Sequence, residues 1–209
     1  MELLLVRHAL PVRRESVNGP ADPELSADGR AQAEHVATYL SSEHLDAIYA
    51  SPLVRAQQTA AAVAAHHALE VHTCEGVAEF DRLSPDYIPT EELKKANDPR
   101  YHAMIAGEWD TDEESFVDFR ARVVSAIEEL IDAHPAQRIV VVCHGGVINS
   151  YLYHVLGLVT PGGGFFYPNY TSINRIAAAR GGIRSIVTIN ETSHLRGTGL
   201  PMGLFQGQR

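Results

Sequence analysis

Residues 138–146 read RIVVVCHGG, and this stretch decides the fold class. Its first six residues, Arg138–Cys143, form a compact apolar run, which is typical of a strand buried on both faces of a sheet. Gly145 and Gly146 follow at once and predict the start of a helix that runs to about Leu156. A buried strand that leads straight into a helix indicates an α/β protein with a largely parallel sheet.

The same alternation of short apolar runs and amphipathic stretches continues on both sides. The predicted strands are Leu3–Val6, Asp46–Ala50, Glu70–Cys74, Arg138–Cys143, Ser172–Ala177 and Ile183–Ile189. A helix is predicted from an N-cap at Ser26 to about residue 42, and another from Phe116 to Pro135. Ser51, as a capping hydroxyl, and Pro52, at the first helical position, predict a third helix that ends near His67. We therefore expect an α/β sandwich with a largely parallel sheet.

The chain of 209 residues is expected to form one domain. Residues 82–114 contain three prolines and scattered charges without a clear period, which favours an inserted helical lid over the main fold. The glycine-rich residues 196–209 are expected to form a loose tail.

Composition excludes several classes of protein. The net charge is -9, and no run of Lys and Arg is present, which argues against general nucleic-acid binding. No apolar run approaches the ~20 residues of a membrane span, and no targeting segment is visible, so we expect a soluble cytoplasmic protein. Cys74 and Cys143 form no CxxC pair and are expected to be reduced thiols. The histidines lack metal-ligand spacing, and no metal is predicted.

The carboxyl ends of the predicted strands carry cationic and imidazole side chains. Arg7 and His8 follow the first strand, Arg55 lies in the first turn after the second, and His144 follows RIVVVC. Each feature alone is more typical of a turn or a solvated surface than of a functional site. Ligands of parallel sheets bind at this edge, however, and guanidinium groups match phosphate oxygens. Their joint placement predicts a phosphate site.

A histidine among these cations is expected to be a nucleophile, because nearby positive charge favours the neutral ring. A backbone carbonyl on Nδ1–H would leave Nε2 as the attacking atom. The leaving oxygen needs an acid, and the carboxyls after the third strand are candidates. Glu79 is our first choice, followed by Glu75 and Asp81; alternatively, all three are ordinary loop carboxylates.

Five spaced motifs resemble those of the histidine phosphatase superfamily, in its phosphoglycerate-mutase-like branch. They are LLLVRHA (3–9), LSADGRAQA (25–33), SPLVRAQQTA (51–60), VVVCHGGVI (140–148) and INETSHL (189–195). The resemblance implies that His8 becomes phosphorylated, that Arg7, Arg55 and His144 hold the phosphoryl oxygens, and that Glu79 donates a proton. It also implies an α/β/α sandwich with an inserted helical segment, no metal or organic cofactor, and a possible homodimer.

Two positions depart from the family's pattern. Ala9 stands where the family usually has glycine after the histidine. Arg14 stands six residues after the nucleophile, where the family often has an asparagine that helps to bind phosphate. We predict that Arg14 binds phosphate as a charged substitute; the alternative is that it points to solvent.

Three functions are compatible with these residues. The first is a phosphomonoester hydrolase that acts on a small phosphorylated metabolite through a phosphohistidine. The second is a phosphoglycerate-type mutase, ranked lower because the lid holds few cations beside many acids. Those cations are Arg82, Lys94, Lys95 and Arg100. The third is a non-catalytic phosphoryl-binding module, since fold alone does not guarantee activity.

Overall fold

The computed structural model describes residues 1–106, 114–158 and 165–203. The strands are β1 Glu2–Arg7, β2 Arg14–Glu15, β3 Ala47–Ala50, β4 Val71–Thr73, β5 Asp86–Tyr87, β6 Arg138–Cys143, β7 Ile173–Ala178 and β8 Arg184–Glu191. The helices are α1 Ala27–Leu40, α2 Val54–His67, α3 Thr90–Lys95, α4 Pro99–Ala106, α5 Phe116–Ala133 and α6 Gly145–Leu156. No helix in these ranges is long and apolar enough to cross a bilayer.

Six strands form the central sheet in the order β4-β3-β6-β1-β7-β8. The pairs β3–β4, β3–β6 and β1–β6 are parallel, whereas β7 is antiparallel to both β1 and β8. In the central pair, Glu2 lies beside Arg138 and Arg7 beside Cys143. Because β1 and β6 end side by side, the residues that follow them, His8 and His144, come out at the same edge.

The sheet is covered by helices on both faces. Leu3 and Leu5 of β1 pack with apolar residues of α5 and α6, while Leu4 and Val6 pack with residues of α1 and α2. All four leucine and valine side chains are fully buried, which explains why these strands lack a polar alternation. The predicted three-layer arrangement is confirmed.

One helix start agrees with the prediction and one differs. Ser26 caps α1, and its hydroxyl accepts from the N–H of Gly29 at 2.9 Å. The prediction that Ser51 and Pro52 begin α2 is wrong, because the helix starts at Val54. The Asp22 carboxylate accepts from the Val54 N–H at 2.9 Å, so a residue 32 positions away satisfies this helix end.

The predicted lid is joined to the loop after the first strand. β5, within residues 82–114, pairs antiparallel with β2, and α3 and α4 follow it. Residues 107–113 lie outside the described part. Residues 196–203 of the predicted loose tail lie against the domain: Met202 O accepts from the backbone N–H of Tyr170, and Pro201 O accepts from Gln32 Nε2. Residues 204–209 are not described.

Candidate active site

His8 lies directly after β1 and is 3% exposed. Its Nδ1 is 2.8 Å from the carbonyl oxygen of Ala9, and a carbonyl only accepts. Nδ1 therefore carries the proton, and Nε2 has a free lone pair. Burial lowers the pKa of His8 well below its usual value, and the charges of Arg55 and Arg7 lower it further. The ring is neutral near pH 7 and can act as a nucleophile through Nε2.

Arg7, the last residue of β1, is held by the loop before β7. Its Nη1 donates to Pro168 O at 2.7 Å, and its guanidinium carbon lies 4.1 Å from the ring centre of Tyr170. These contacts fix the guanidinium by a hydrogen bond and by stacking on an aromatic face. The Nε of Arg7 is buried and has no hydrogen-bond partner in the described part of the chain.

Arg55 projects from the first turn of α2 and is almost fully buried. Its Nη2 donates to Asp81 Oδ1 at 2.9 Å, and its Nη1 is 3.9 Å from Asp22 Oδ1. The ring of Tyr87, from β5 of the lid, lies 4.6 Å from its guanidinium carbon. Two carboxylates and one aromatic ring thus orient Arg55, whose Nε remains unpartnered.

His144 precedes α6 and is fully buried. Its Nε2 is 2.7 Å from the Ser51 hydroxyl, and that hydroxyl also accepts from the Leu53 N–H at 3.3 Å. If Ser51 donates its hydroxyl proton to Nε2, the His144 proton lies on Nδ1. Nδ1 has no partner among the described residues, and the ring centre of His144 is 5.0 Å from that of His8.

In the described ranges, three residues that act on His8 through their charge or ring each have a buried nitrogen without a partner. These nitrogens are Arg7 Nε, Arg55 Nε and His144 Nδ1, and they come from three different elements. Buried polar groups in folded proteins are nearly always paired, because an unpaired one costs free energy. The oxygens of a phosphoryl group on His8 would accept from these donors, in charge-assisted hydrogen bonds where the donor is an arginine. The four residues that the strand ends predicted are brought together.

Glu79 lies beside the amino end of α6. Its Oε2 accepts from the Gly146 N–H at 2.8 Å, and its Oε1 accepts from the Phe80 N–H at 2.9 Å. A Cβ at Gly146 would displace the carboxyl group of Glu79 from this position. Burial, together with the charge of Asp81, raises the pKa of Glu79. A carboxyl that keeps its proton to higher pH is suited to be a general acid.

The other two acid candidates are less well placed. Glu75 is exposed at the start of the 3₁₀ turn Glu75–Val77. Asp81 is engaged in an ion pair with Arg55, whose Nη2 donates to Asp81 Oδ1. The structure thus separates three carboxyls that the sequence could only rank.

Arg14 lies at the rim of the site. It is exposed in β2, opposite Tyr87, and its Nη1 is 3.4 Å from the backbone oxygen of Asp22. Directly opposed residues of an antiparallel pair share a face, so Arg14 is on the same side of the ribbon as the ring that packs on Arg55. A role in phosphate binding stays a prediction.

Sequence reasoning missed part of the surroundings. Asp22, Tyr87 and Tyr170 contact the two arginines, and Ser51 contacts His144 instead of capping a helix. The tyrosines lie outside any motif, so only the fold reveals them. In the described ranges no group of three or more His, Cys, Asp or Glu could hold a metal ion.

A neutral imidazole, two oriented guanidinium groups and a carboxyl with a raised pKa at one sheet edge define a phosphoryl-transfer site on an α/β sandwich. Residues 3–192 match the family model of the histidine phosphatase superfamily, branch 1. The chain belongs to this superfamily, and phosphatase activity on small phosphorylated metabolites is what its members and structural neighbours support.

Named relatives and solved structures agree. The chain is 31% identical to phosphoglycerate mutase-like protein 4 of Arabidopsis thaliana, over 100% of this chain and 93% of that protein. It is 33% identical to phosphoserine phosphatase 1 of Hydrogenobacter thermophilus, over 76% and 77%. A mutant phosphoserine phosphatase of Entamoeba histolytica, solved with phosphoserine, is 27% identical, with a TM-score of 0.73 over 93% of this chain and 98% of its own.

The negative charge of Asp81 leads to a prediction about how kcat/KM depends on pH. Glu79 can donate only while protonated, so activity should fall as pH rises through its raised pKa. In Asp81→Asn the amide oxygen can still accept from Arg55, but the repelling charge is gone. We expect the alkaline limb of kcat/KM for an alkyl phosphate to move to lower pH. The control is Glu75→Gln at an exposed carboxyl, and an unmoved limb in Asp81→Asn would contradict this coupling.

Proposed function

We propose that the chain hydrolyses phosphomonoesters in two steps through a phosphorylated His8. Nε2 of His8 attacks phosphorus in line, the phosphorus–oxygen bond to the leaving group breaks, and Glu79 gives that oxygen its proton. The observation that carries the proposal is the free Nε2 among three buried nitrogens that lack a partner. Those nitrogens would stabilise the charge that spreads over the transferred oxygens.

The second step uses the same groups in reverse. Glu79, now ionised, takes a proton from a water molecule, whose oxygen attacks the phosphorus of phospho-His8. The nitrogen–phosphorus bond breaks, and inorganic phosphate leaves with the imidazole again neutral. Burial and the charges of the two arginines lower the pKa of His8 and thereby favour its neutral ring. Because the ring becomes neutral when the nitrogen–phosphorus bond breaks, the imidazole is a good leaving group.

The substrate is proposed to be small and to carry one phosphoryl group. Tyr87 and Tyr170 cover the two arginines, and both tyrosines are nearly or fully buried, so the space around the phosphoryl group is confined. Several similar proteins carry the name phosphoserine phosphatase. Phosphoserine is therefore the first compound to test, and Arg14 is proposed to contact its phosphoryl group from the rim.

A panel of phosphorylated metabolites tests this function. Each compound is incubated with the whole chain, and released phosphate is measured. We expect release from a few small monoesters, phosphoserine among them. A mutase remains the alternative, because the Arabidopsis thaliana relative that matches over the whole of this chain is named phosphoglycerate mutase-like protein 4. Interconversion of phosphoglycerates without phosphate release would favour the mutase, and absence of both reactions would favour a non-catalytic module.

The proposal also covers the location of the chain and its oligomeric state. A cytoplasmic location is supported by the free thiols of Cys74 and Cys143, and cell fractionation tests it. A homodimer is what the family resemblance implies. Light scattering on the purified chain tests that, and a monomeric mass would contradict it.

A further inference from the structure

The motif INETSHL (189–195) takes no part in the chemistry above, yet it packs behind the site. It faces the loop 167–171, which leads into β7. Within this loop, Thr171 is fully buried and has a φ of 55°, in a left-handed region that a β-branched residue rarely adopts. Such backbone persists only where its surroundings hold it. The Thr171 N–H donates to the carbonyl oxygen of Arg7 at 3.1 Å, so this strained residue touches the catalytic strand.

His194 holds the side chain of Thr171. The Thr171 hydroxyl donates to Tyr170 O at 2.8 Å, and its oxygen is 3.0 Å from His194 Nε2. Since the hydroxyl proton is already used, the oxygen accepts from Nε2–H of His194. The His194 ring also packs against Tyr39, with ring centres 5.5 Å apart. His194 is thus a buried donor aimed at the backbone that supports the site.

Asn190 holds the other end of the same loop. Its Nδ2 donates to Tyr167 O at 3.2 Å, and its Oδ1 accepts from the Asn169 N–H at 2.8 Å. Asn190 itself has a φ of 59°, which asparagine tolerates better than most residues. Two side chains of one motif therefore fix residues 167–169 and 171.

The loop held in this way carries the contacts that orient Arg7. Pro168 O accepts from Arg7 Nη1, and the Tyr170 ring stacks on the guanidinium. The same ring lies 6.0 Å from the His8 ring, centre to centre. We propose that Asn190 and His194 are positioning residues that hold loop 167–171 so that Arg7 and His8 meet the phosphoryl group in the correct geometry.

This inference rests on the proposed function and is tested at His194 with matched variants. His194→Phe removes the hydrogen bond and keeps a flat ring, whereas His194→Gln retains an N–H donor. We expect kcat/KM for an aryl phosphate to fall on the order of 100-fold in His194→Phe, because a small misplacement of reacting groups is costly. Competitive inhibition by orthovanadate should weaken in parallel, and His194→Gln should keep most of both. The control is His44→Phe, at an exposed histidine that does not contact His194.

A purely structural role gives different results. Wild-type kcat/KM and orthovanadate inhibition in His194→Phe, with only the melting temperature lowered, would overturn the proposal. Equal losses in His194→Phe and His194→Gln would also overturn it, since the hydrogen bond would not be the cause. If His194→Phe does not fold, Asn190→Gly replaces it, because glycine keeps the left-handed backbone and removes both side-chain hydrogen bonds. A similar kinetic loss supports the proposal, and wild-type kinetics overturn it.

Failure of the proposed function is recognised separately. If the unmodified chain hydrolyses nothing, binding of inorganic phosphate is measured by calorimetry on the same variants. Weaker phosphate binding in His194→Phe than in His194→Gln would still support the positioning role. Equal binding in the unmodified chain and both variants would reject it.

Discussion

Replacing His8 by alanine should abolish turnover of an aryl phosphate, with kcat/KM reduced by about four orders of magnitude or more. Among the described residues, the other imidazole beside His8 is that of His144, and its Nε2 is already engaged with the Ser51 hydroxyl. Without Nε2 of His8 the phosphoryl group has no acceptor, so the first step cannot occur. With nitrophenyl phosphate as the substrate, the rate of nitrophenol release measures this loss of activity directly.

The same variant separates catalysis from binding. His8→Ala keeps Arg7, Arg55 and His144, so calorimetry should still detect binding of inorganic phosphate. Brief incubation of the unmodified chain with a radiolabelled phosphomonoester, followed by denaturation in alkali, should trap label on His8 and none in His8→Ala. His44→Ala, at an exposed histidine, serves as the control and should be unchanged. Full activity in His8→Ala would refute the assignment.

The position of these groups could be predicted from the sequence because it follows from sheet topology. Apolar runs place β1 and β6 inside a parallel sheet, and parallel strands end at the same edge. The register Arg7↔Cys143 then makes His8 and His144 neighbours, although 136 positions separate them. The pattern of neighbouring residues was sufficient for this prediction. A short, completely apolar run is typical of a buried strand of the sheet, and the polar residue that follows such a strand lies at the sheet's edge.

Predictions from neighbouring residues were wrong where a residue's hydrogen-bond partner lies far away in the sequence. A serine before a proline is a common helix start, yet the Ser51 hydroxyl contacts His144, and Asp22 satisfies the start of α2. The packing of Tyr87 on Arg55 depends on the pairing of two very short strands, β2 and β5. Pairing of two-residue strands leaves too weak a pattern to read from sequence. The residues that the sequence analysis missed therefore orient the site residues that it predicted.

A second large effect is expected at Glu79, and its size should depend on the leaving group. General acids contribute roughly 10²- to 10⁴-fold, and Gln cannot give up a proton. For an alkyl phosphate such as phosphoserine, whose alkoxide is a poor leaving group, Glu79→Gln should lower kcat by about 10³-fold. The leaving group of an aryl phosphate is a stabilised phenolate, which needs little protonation. With such a substrate, Glu79→Gln should therefore slow the phosphorylation of His8 far less.

The pH profile provides an independent check of the same assignment. In the unmodified chain, the activity toward alkyl phosphates should fall at alkaline pH as Glu79 loses its proton. Because burial and Asp81 raise the pKa of Glu79, this fall should begin at a higher pH than an ordinary carboxyl would produce. Glu79→Gln should lack that alkaline limb altogether, whereas Glu75→Gln should retain it. Equal losses for alkyl and aryl phosphates, with the limb unchanged, would show that Glu79 holds the fold around Gly146 and that another group donates the proton.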